Sequence, residues 1–242
     1  MGQPFFALRD RGRVRPINQD HALAVALPGD RVLLLVADGV GGARAGEVAS
    51  AEAMHAAVAA VREAPDGTTP EAALAGAIEA ANQRVFSLSA KDPALTGMAT
   101  TLVIAIVDHG RATILSVGDS RAYLASGGAL HPLTTDDSWV EHQVASGVMT
   151  RDEAERSPYR NAITKGVGVD EVLDPGEIVR TALVPGDALL LCSDGLYRLV
   201  PPARIAETVA ANLPEEAAQR LVALANEGGG TDNISLALYR RA

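Results

Sequence analysis

Five aspartates stand where the chain enters or leaves apolar runs of strand length. Asp38 ends VLLLVA, Asp119 ends TILSVG and Asp194 ends ALLLCS, while Asp232 precedes NISLALY and Asp20 precedes HALAVAL. A carboxylate beside a buried strand is costly to desolvate unless a cation or hydrogen bonds compensate it. Asp-Gly is also a hairpin signal, so Asp38-Gly39 and Asp194-Gly195 could each be a turn. Asp66-Gly67, between two helical stretches, reads as a turn only. Five such aspartates together read as a carboxylate cluster built for hard divalent cations. All-oxygen ligands favour Mg2+, Mn2+ or Ca2+ over Zn2+. The five histidines are scattered, the one cysteine is Cys192, and there is no His-Glu-x-x-His or Cys-x-x-Cys. The spacings of a calcium-binding EF-hand, a phosphate-binding P-loop and a Gly-x-Ser-x-Gly nucleophile elbow are missing too.

The elements that must carry these residues follow from periodicity and punctuation. FFALR, HALAVAL and RVLLLVA read as strands, the last two joined at Pro28-Gly29-Asp30. GEVASAEAMHAAVAAVREA and PEAALAGAIEAANQRVFSLS read as helices, the second opened by Thr69-Pro70. ATTLVIAIVD and RATILSVGD read as paired strands turning at His109-Gly110, and RAYLAS with ALHPL as a hairpin around Gly127-Gly128. Residues 134–172 are polar, hold Trp139 and carry short helical pieces, and so read as an inserted flap. EIVRTAL and DALLLCS are strands, PARIAETVAANL and PEEAAQRLVALANE helices, and NISLALYR a final strand. This order is not the alternation of a parallel sheet; it fits an antiparallel α+β layered domain. With no repeat or linker, residues 1–242 read as one domain.

Nearly half of the 242 residues are apolar and the net charge is −9. A core of ample size follows, and so does repulsion of nucleic-acid phosphates. A single cysteine suits a reducing compartment. The N-terminus lacks a signal-peptide pattern, and Phe6 breaks the myristoylation motif that Gly2 would begin. No apolar run approaches the roughly 20 residues that span a bilayer. A cytoplasmic monomer that binds neither membrane nor nucleic acid is expected.

Six motifs occur in order: Arg15-Pro16-Ile17-Asn18-Gln19-Asp20, Asp38-Gly39-Val40-Gly41-Gly42, Gly97-Met98-Ala99-Thr100-Thr101, Gly118-Asp119-Ser120-Arg121, Ser193-Asp194-Gly195 and Gly230-Thr231-Asp232-Asn233. Together they resemble the metal-dependent protein serine/threonine phosphatases of type 2C, the PPM family, in its short bacterial form. The resemblance runs from about Phe6 to Tyr239. It implies an α-β-β-α sandwich of two antiparallel sheets flanked by helix pairs, with a binuclear Mn2+ or Mg2+ centre between the sheets. It implies that Asp38 bridges the ions, that Asp194 and Asp232 complete one position, and that the Gly39 carbonyl serves the other, with Asp20 holding its waters. Asp119 and Asp194 resemble the ligands of a third, weaker site. Asn233 would orient groups around Asp232, and Arg15 would hold phosphate as a two-pronged guanidinium.

The implied reaction is hydrolysis of phosphoserine or phosphothreonine on proteins by a water that two cations activate. The implied partners are phosphorylated proteins and a bacterial Hanks-type kinase, such as those controlling type VI secretion. Cys192 is read as a core residue. Two positions depart from the family pattern. Gln19 stands where many members have Glu, and Val40 where some have a proton-donating His, so a metal-bound water is expected to replace that donor. His21 and His142 are weaker candidates for it. Lys165 stands where relatives often have Arg. The rival readings are a pseudophosphatase binding module, whose sign would be a missing core aspartate, and a hydrolase of small phosphate esters.

Overall fold

Alternation along β3, Arg31–Val40, decides the layering of the molecule. Successive side chains on a strand point to opposite faces. Leu33, Leu35 and Ala37 pack into one apolar core, and Val32, Leu34 and Val36 into another. A strand buried on both faces has to be apolar throughout, which is what the run VLLLVA supplies. The computed structural model describes residues 3–40 and 45–242. Gly2 and the Gly41-Gly42 end of the second motif lie outside the described residues.

One sheet runs in the order β2 (Asp20–Leu27), β3, β5 (Leu102–Asp108), β6 (Arg111–Val117), β9 (Val179–Ala182), with β4 (Ala99–Thr100) added at the far end of β3. The other runs β1 (Phe5–Asp10), β11 (Ile234–Arg240), β10 (Ala188–Cys192), β7 (Arg121–Ser126), β8 (Ala129–Pro132). Every pairing is antiparallel. Helices α1 (Ala45–Glu63) and α2 (Pro70–Lys91) cover the outer face of the first sheet. Helices α6 (Pro202–Ala211) and α7 (Pro214–Glu227) cover that of the second, where Ile205 and Leu221 meet Leu190 and Leu236. Between the sheets lie Leu34, Val36, Val103, Leu189, Leu191 and Ala237. The result is the α-β-β-α sandwich of two antiparallel sheets that the motifs implied.

Aromatics are scarce, and small residues fill the helix layer instead. Ala49, Ala53 and Ala57 of α1 and Ala77 and Ala81 of α2 are fully buried, which lets the two helices approach closely. Thr69 caps α2, its side chain accepting from the Ala72 N–H at 3.3 Å ahead of Pro70. The three hairpins turn where the punctuation put them. Gly29, His109-Gly110 and Gly127-Gly128 all have positive φ, the backbone that tight two-residue turns need.

One local expectation comes out differently, and the flap segment keeps its expected short helices. The run ATTLVIAIVD is not one strand. It breaks at Thr101, whose N–H donates to the Asp38 carbonyl (2.9 Å) and whose hydroxyl accepts from the Asp38 N–H (3.0 Å). Thr101 thus leaves its own ladder to brace the end of β3. Residues 134–172 carry α3 (Trp139–Ala145) and α4 (Arg151–Arg156), the latter opened by a capping box between Thr150 and Glu153. Thr164 N–H donates to the Asp137 carbonyl and Trp139 N–H to that of Ala162, so this segment folds back on itself.

Candidate active site

The alternation that fills the inter-sheet core also places the first carboxylates. Asp38 lies two residues beyond Val36 on the same face of β3, and Asp20 opens β2 directly opposite it in register. On the facing sheet the residues two beyond Leu191 and two before Ala237 are Ser193 and Ser235. Ser193 Oγ donates across the gap to Asp20 Oδ2 at 2.7 Å, and the Ser235 N–H donates to Ser193 Oγ at 3.0 Å. Where the apolar filling ends, a polar cleft between the sheets begins.

The other aspartates enter from the second sheet and from the end of β6. Asp194 does not turn a hairpin; it opens the short helix α5 (Asp194–Tyr197) straight after β10. Asp38-Gly39 lies inside β3, so neither Asp-Gly pair is a turn. Both glycines sit against backbone. A Cβ on Gly39 would lie 2.0 Å from the Gly46 carbonyl oxygen, and one on Gly195 would lie 1.9 Å from that of Asn233. Each glycine is therefore required by a close approach at its aspartate. Asp232 precedes β11, and Asp119 follows β6 at a bend.

The carboxylates act on one another. Burial, then the charges of Asp20, Asp194, Asp119 and Asp232, push Asp38 well above the ordinary range. Burial lifts Asp20 and Asp119 to about 7 each, and raises Asp194. Asp20 Oδ1 is buried with no hydrogen-bond partner. Buried, mutually repelling carboxylates with an orphaned oxygen suit divalent cations of the Mg2+ or Mn2+ class. Among the described residues, no three His, Cys, Asp or Glu side chains already surround one point. Several instead engage the nearest protein donor. Arg15 Nη2 donates to Asp232 Oδ2 at 2.7 Å. Arg198 Nε lies 3.2 Å from Asp194 Oδ2, and its Nη2 3.3 Å from Asp119 Oδ2.

Asn233 holds the loop that carries Arg15. Its Oδ1 accepts from the Gln19 N–H (2.8 Å), and its Nδ2 donates to the carbonyls of Arg11 (2.9 Å) and Ile17 (3.0 Å). Its own N–H donates to Asp232 Oδ1 at 2.9 Å. The Gln19 carbonyl accepts from the Gly39 N–H and from Ser50 Oγ. His21 follows Asp20 on the opposite face of β2, with Nδ1 2.9 Å from Ser50 Oγ, and burial lowers its pKa to about 4. It is neutral near pH 7 and turned toward α1. His142 is exposed on α3, and Lys165 pairs with Asp137 at 3.6 Å. Cys192 is fully buried and its thiol is pushed up to about 12, so it is inert.

Several residues that build the site are not singled out by the motifs. The motif Ser193-Asp194-Gly195 marks the aspartate, yet its Ser193 is the hydroxyl that reaches Asp20. Arg198 and Tyr197 were missed altogether. Tyr197 donates to the Asp119 carbonyl at 3.0 Å, and Arg121 stacks on its ring at 3.8 Å. An arginine four residues after an aspartate on a helix is a readable signal, and it would have found Arg198. A cleft of about 1080 Å³ opens from Asp194 and Asp232 along Arg121 and Tyr197 to Arg160 in the flap segment.

The protein phosphatase 2C family profile matches residues 12–226. Over 239 residues the chain is 35% identical to the serine/threonine phosphatase stp of Listeria monocytogenes, covering 96% of this chain and 93% of that one. It superposes on the catalytic domain of the serine/threonine protein phosphatase PstP in complex with two manganese ions, with a TM-score of 0.84, 35% identity and coverage of 97% and 96%. It is also similar to PppA, a key regulatory component of the type VI secretion system in Pseudomonas aeruginosa, with a TM-score of 0.81, 29% identity and coverage of 98% and 96%. Among the described residues, no helix is long and apolar enough to cross a membrane.

Proposed function

The chain belongs to the protein phosphatase 2C family and is a serine/threonine protein phosphatase of that type, and from this premise we propose that the inter-sheet carboxylates hold a pair of Mn2+ or Mg2+ ions that serve the hydrolysis. One observation carries the proposal: Asp20 and Asp38 from one sheet and Asp194 from the other are all pushed above the ordinary carboxylate range in a single cleft, by burial and by the charges beside them, Asp232 included. Asp38, which feels the charge of all the others, would be the ligand central to the pair. Asp194 and Asp232 would hold one position, and the Gly39 carbonyl and Asp20 would serve the other. When bound, the ions lower the pKa of water toward neutrality and neutralise charge on the phosphoryl group.

The chain's own residues do the rest. Arg15 stands half-exposed at the cleft, its guanidinium drawn to Asp232 and within the field of Asp194 and Asp38. Exchanging one Asp232 oxygen for two phosphoryl oxygens lets it orient the substrate and stabilise charge as the ester breaks. Asn233 fixes the loop from which Arg15 reaches. Val40 lies exposed beside Gly39 and cannot titrate, and His21 faces away, so neither protonates the leaving serine or threonine alkoxide. The cleft beneath the flap has room for the peptide on either side of the phosphoresidue.

The likeness to PppA supports a regulatory place in type VI secretion; a bacterial serine/threonine kinase is the activity that such a phosphatase would oppose, and we assign the chain to the cytoplasm as a monomer acting on phosphoproteins. The test is turnover of p-nitrophenyl phosphate, a phosphothreonine peptide and a nucleotide with Mn2+, Mg2+ or EDTA, for wild type and Asp38→Asn. Metal-dependent peptide turnover that is lost in EDTA and in the variant is expected. Preference for the nucleotide would transfer the enzyme to small esters. No turnover with any metal would leave a binding module.

A further inference from the structure

Arg198 stands between two carboxylates that the resemblance assigned to a third metal position. Its Nε lies 3.2 Å from Asp194 Oδ2, one helical turn back on the same segment, and its Nη2 lies 3.3 Å from Asp119 Oδ2. The same guanidinium donates through Nη1 to the Asn161 side chain and through Nη2 to the Arg160 carbonyl, both in the flap segment. Its side chain is only 25% exposed, and the carboxylates are 9% and 12% exposed. Tyr197, the residue before it, donates its hydroxyl to the Asp119 carbonyl at 3.0 Å. Asp119 is thus gripped by two consecutive residues that follow Asp194.

We infer that Arg198 is the resident cation of the Asp119–Asp194 pair, a positioning residue that takes the place of a third metal ion and ties the flap to the centre. A guanidinium stays charged at any pH the fold survives, so it cannot vacate the position by losing a proton. Its planar fork has enough donors to serve two carboxylates and two flap acceptors at once, which a single ion with waters would do only by remodelling the flap contacts. A divalent ion entering there would meet a fixed positive charge between its two ligands. The inference rests on the binuclear reading above for its remaining ions.

The experiment counts Mn2+ bound per chain, by titration calorimetry and by the electron-resonance signal of free Mn2+, together with amide hydrogen exchange over residues 157–164. Wild type is expected to bind two ions, and Asp119→Asn to leave that number unchanged. Arg198→Ala should gain one further, weaker ion, and the gain should vanish when Asp119→Asn is added; flap amides should lose protection. Arg198→Lys keeps a charge but not the fork, so the ion count should stay at the wild-type value while flap protection drops. A wild type that binds three ions, one fewer after Asp119→Asn, overturns the inference, and so does an Arg198→Ala chain with no added ion. A wild type that binds no Mn2+ sinks the binuclear reading and this one with it. Should Arg198→Ala fail to fold, the wild-type and Asp119→Asn counts decide the matter alone.

Discussion

Asp20 and Asp38 face each other in register across β2 and β3, on the side of the sheet that looks into the cleft. Burial, with the charge of Asp194, holds Asp20 near 7; burial, with the charges of Asp20, Asp194, Asp119 and Asp232, holds Asp38 well above the ordinary value of 3.8; and burial holds Asp119 near 7. The folded protein without metal therefore binds protons that the unfolded chain has already released. That contribution to stability is fully present below the unfolded value and is lost as pH rises through about 7. Across the set it is worth on the order of a few kcal/mol. Thermal unfolding in EDTA should give a melting temperature that falls between about pH 5.5 and pH 8. Added Mn2+ should stabilise most at the upper end, since it binds the ionised carboxylates. A metal-free melting temperature that climbs across this window would contradict the placement of these groups.

Arg15 should matter for the phosphoryl group more than for the fold. It is half-exposed, and its pair with Asp232 is a surface pair of small worth to stability. Arg15→Ala should lower kcat/KM on a phosphothreonine peptide by about 100-fold or more, with little change in melting temperature. Arg15→Lys should recover only part, because an ammonium lacks the two-pronged fit. Steady-state kinetics on both variants checks this, and a wild-type kcat/KM for Arg15→Ala would remove Arg15 from the mechanism.

Asn233 should show the opposite balance. Its side chain makes three hydrogen bonds to the 11–19 loop. Asn233→Ala leaves those partners unmet, at about 2–4 kcal/mol in all, or a melting temperature lower by roughly 5–15 °C. Activity should fall with it, and excess Mn2+ should not restore kcat, because Arg15 has lost its support. Full rescue by metal would mean that Asn233 acts only on the ions.

His21 should be silent in catalysis. It lies on the face of β2 away from Asp20, bonded to Ser50, and it is neutral at working pH. His21→Gln should leave both limbs of the pH–rate profile in place. Loss of the alkaline limb, where a general acid would deprotonate, would make His21 the proton donor after all.

Much of this was readable in the chain because each signal is local. An aspartate that ends an apolar run declares both its strand and its place at the strand's end, so Asp38, Asp194 and Asp232 could be named before their neighbours were known. The hairpins at Gly29, Gly110 and Gly127 were equally local. What could not be read depends on pairing across the fold. Thr101 breaks its strand because Asp38 lies alongside it, and Ser193 matters because the second sheet sets it opposite Asp20. Nothing adjacent to either residue in sequence announces those partners. Arg198 lies between these cases: its partnership with Asp194 is one turn of helix away, but its hold on Asp119 spans 79 positions of chain.

The edge strand β1 pairs with β11 alone, Phe5 opposite Tyr239 and Asp10 opposite Ile234. The loop bearing Arg15 follows β1 directly, and Asp232 and Asn233 directly precede β11. During folding, the earliest part of the site must therefore wait for the latest. A chain folded only through α7 has every carboxylate except the one that anchors Arg15, and β1 has no ladder to join. Docking of β11 on β1 is thus the closing step of the site: until that seam zips, Arg15 and the carboxylates belong to separate pieces of the molecule.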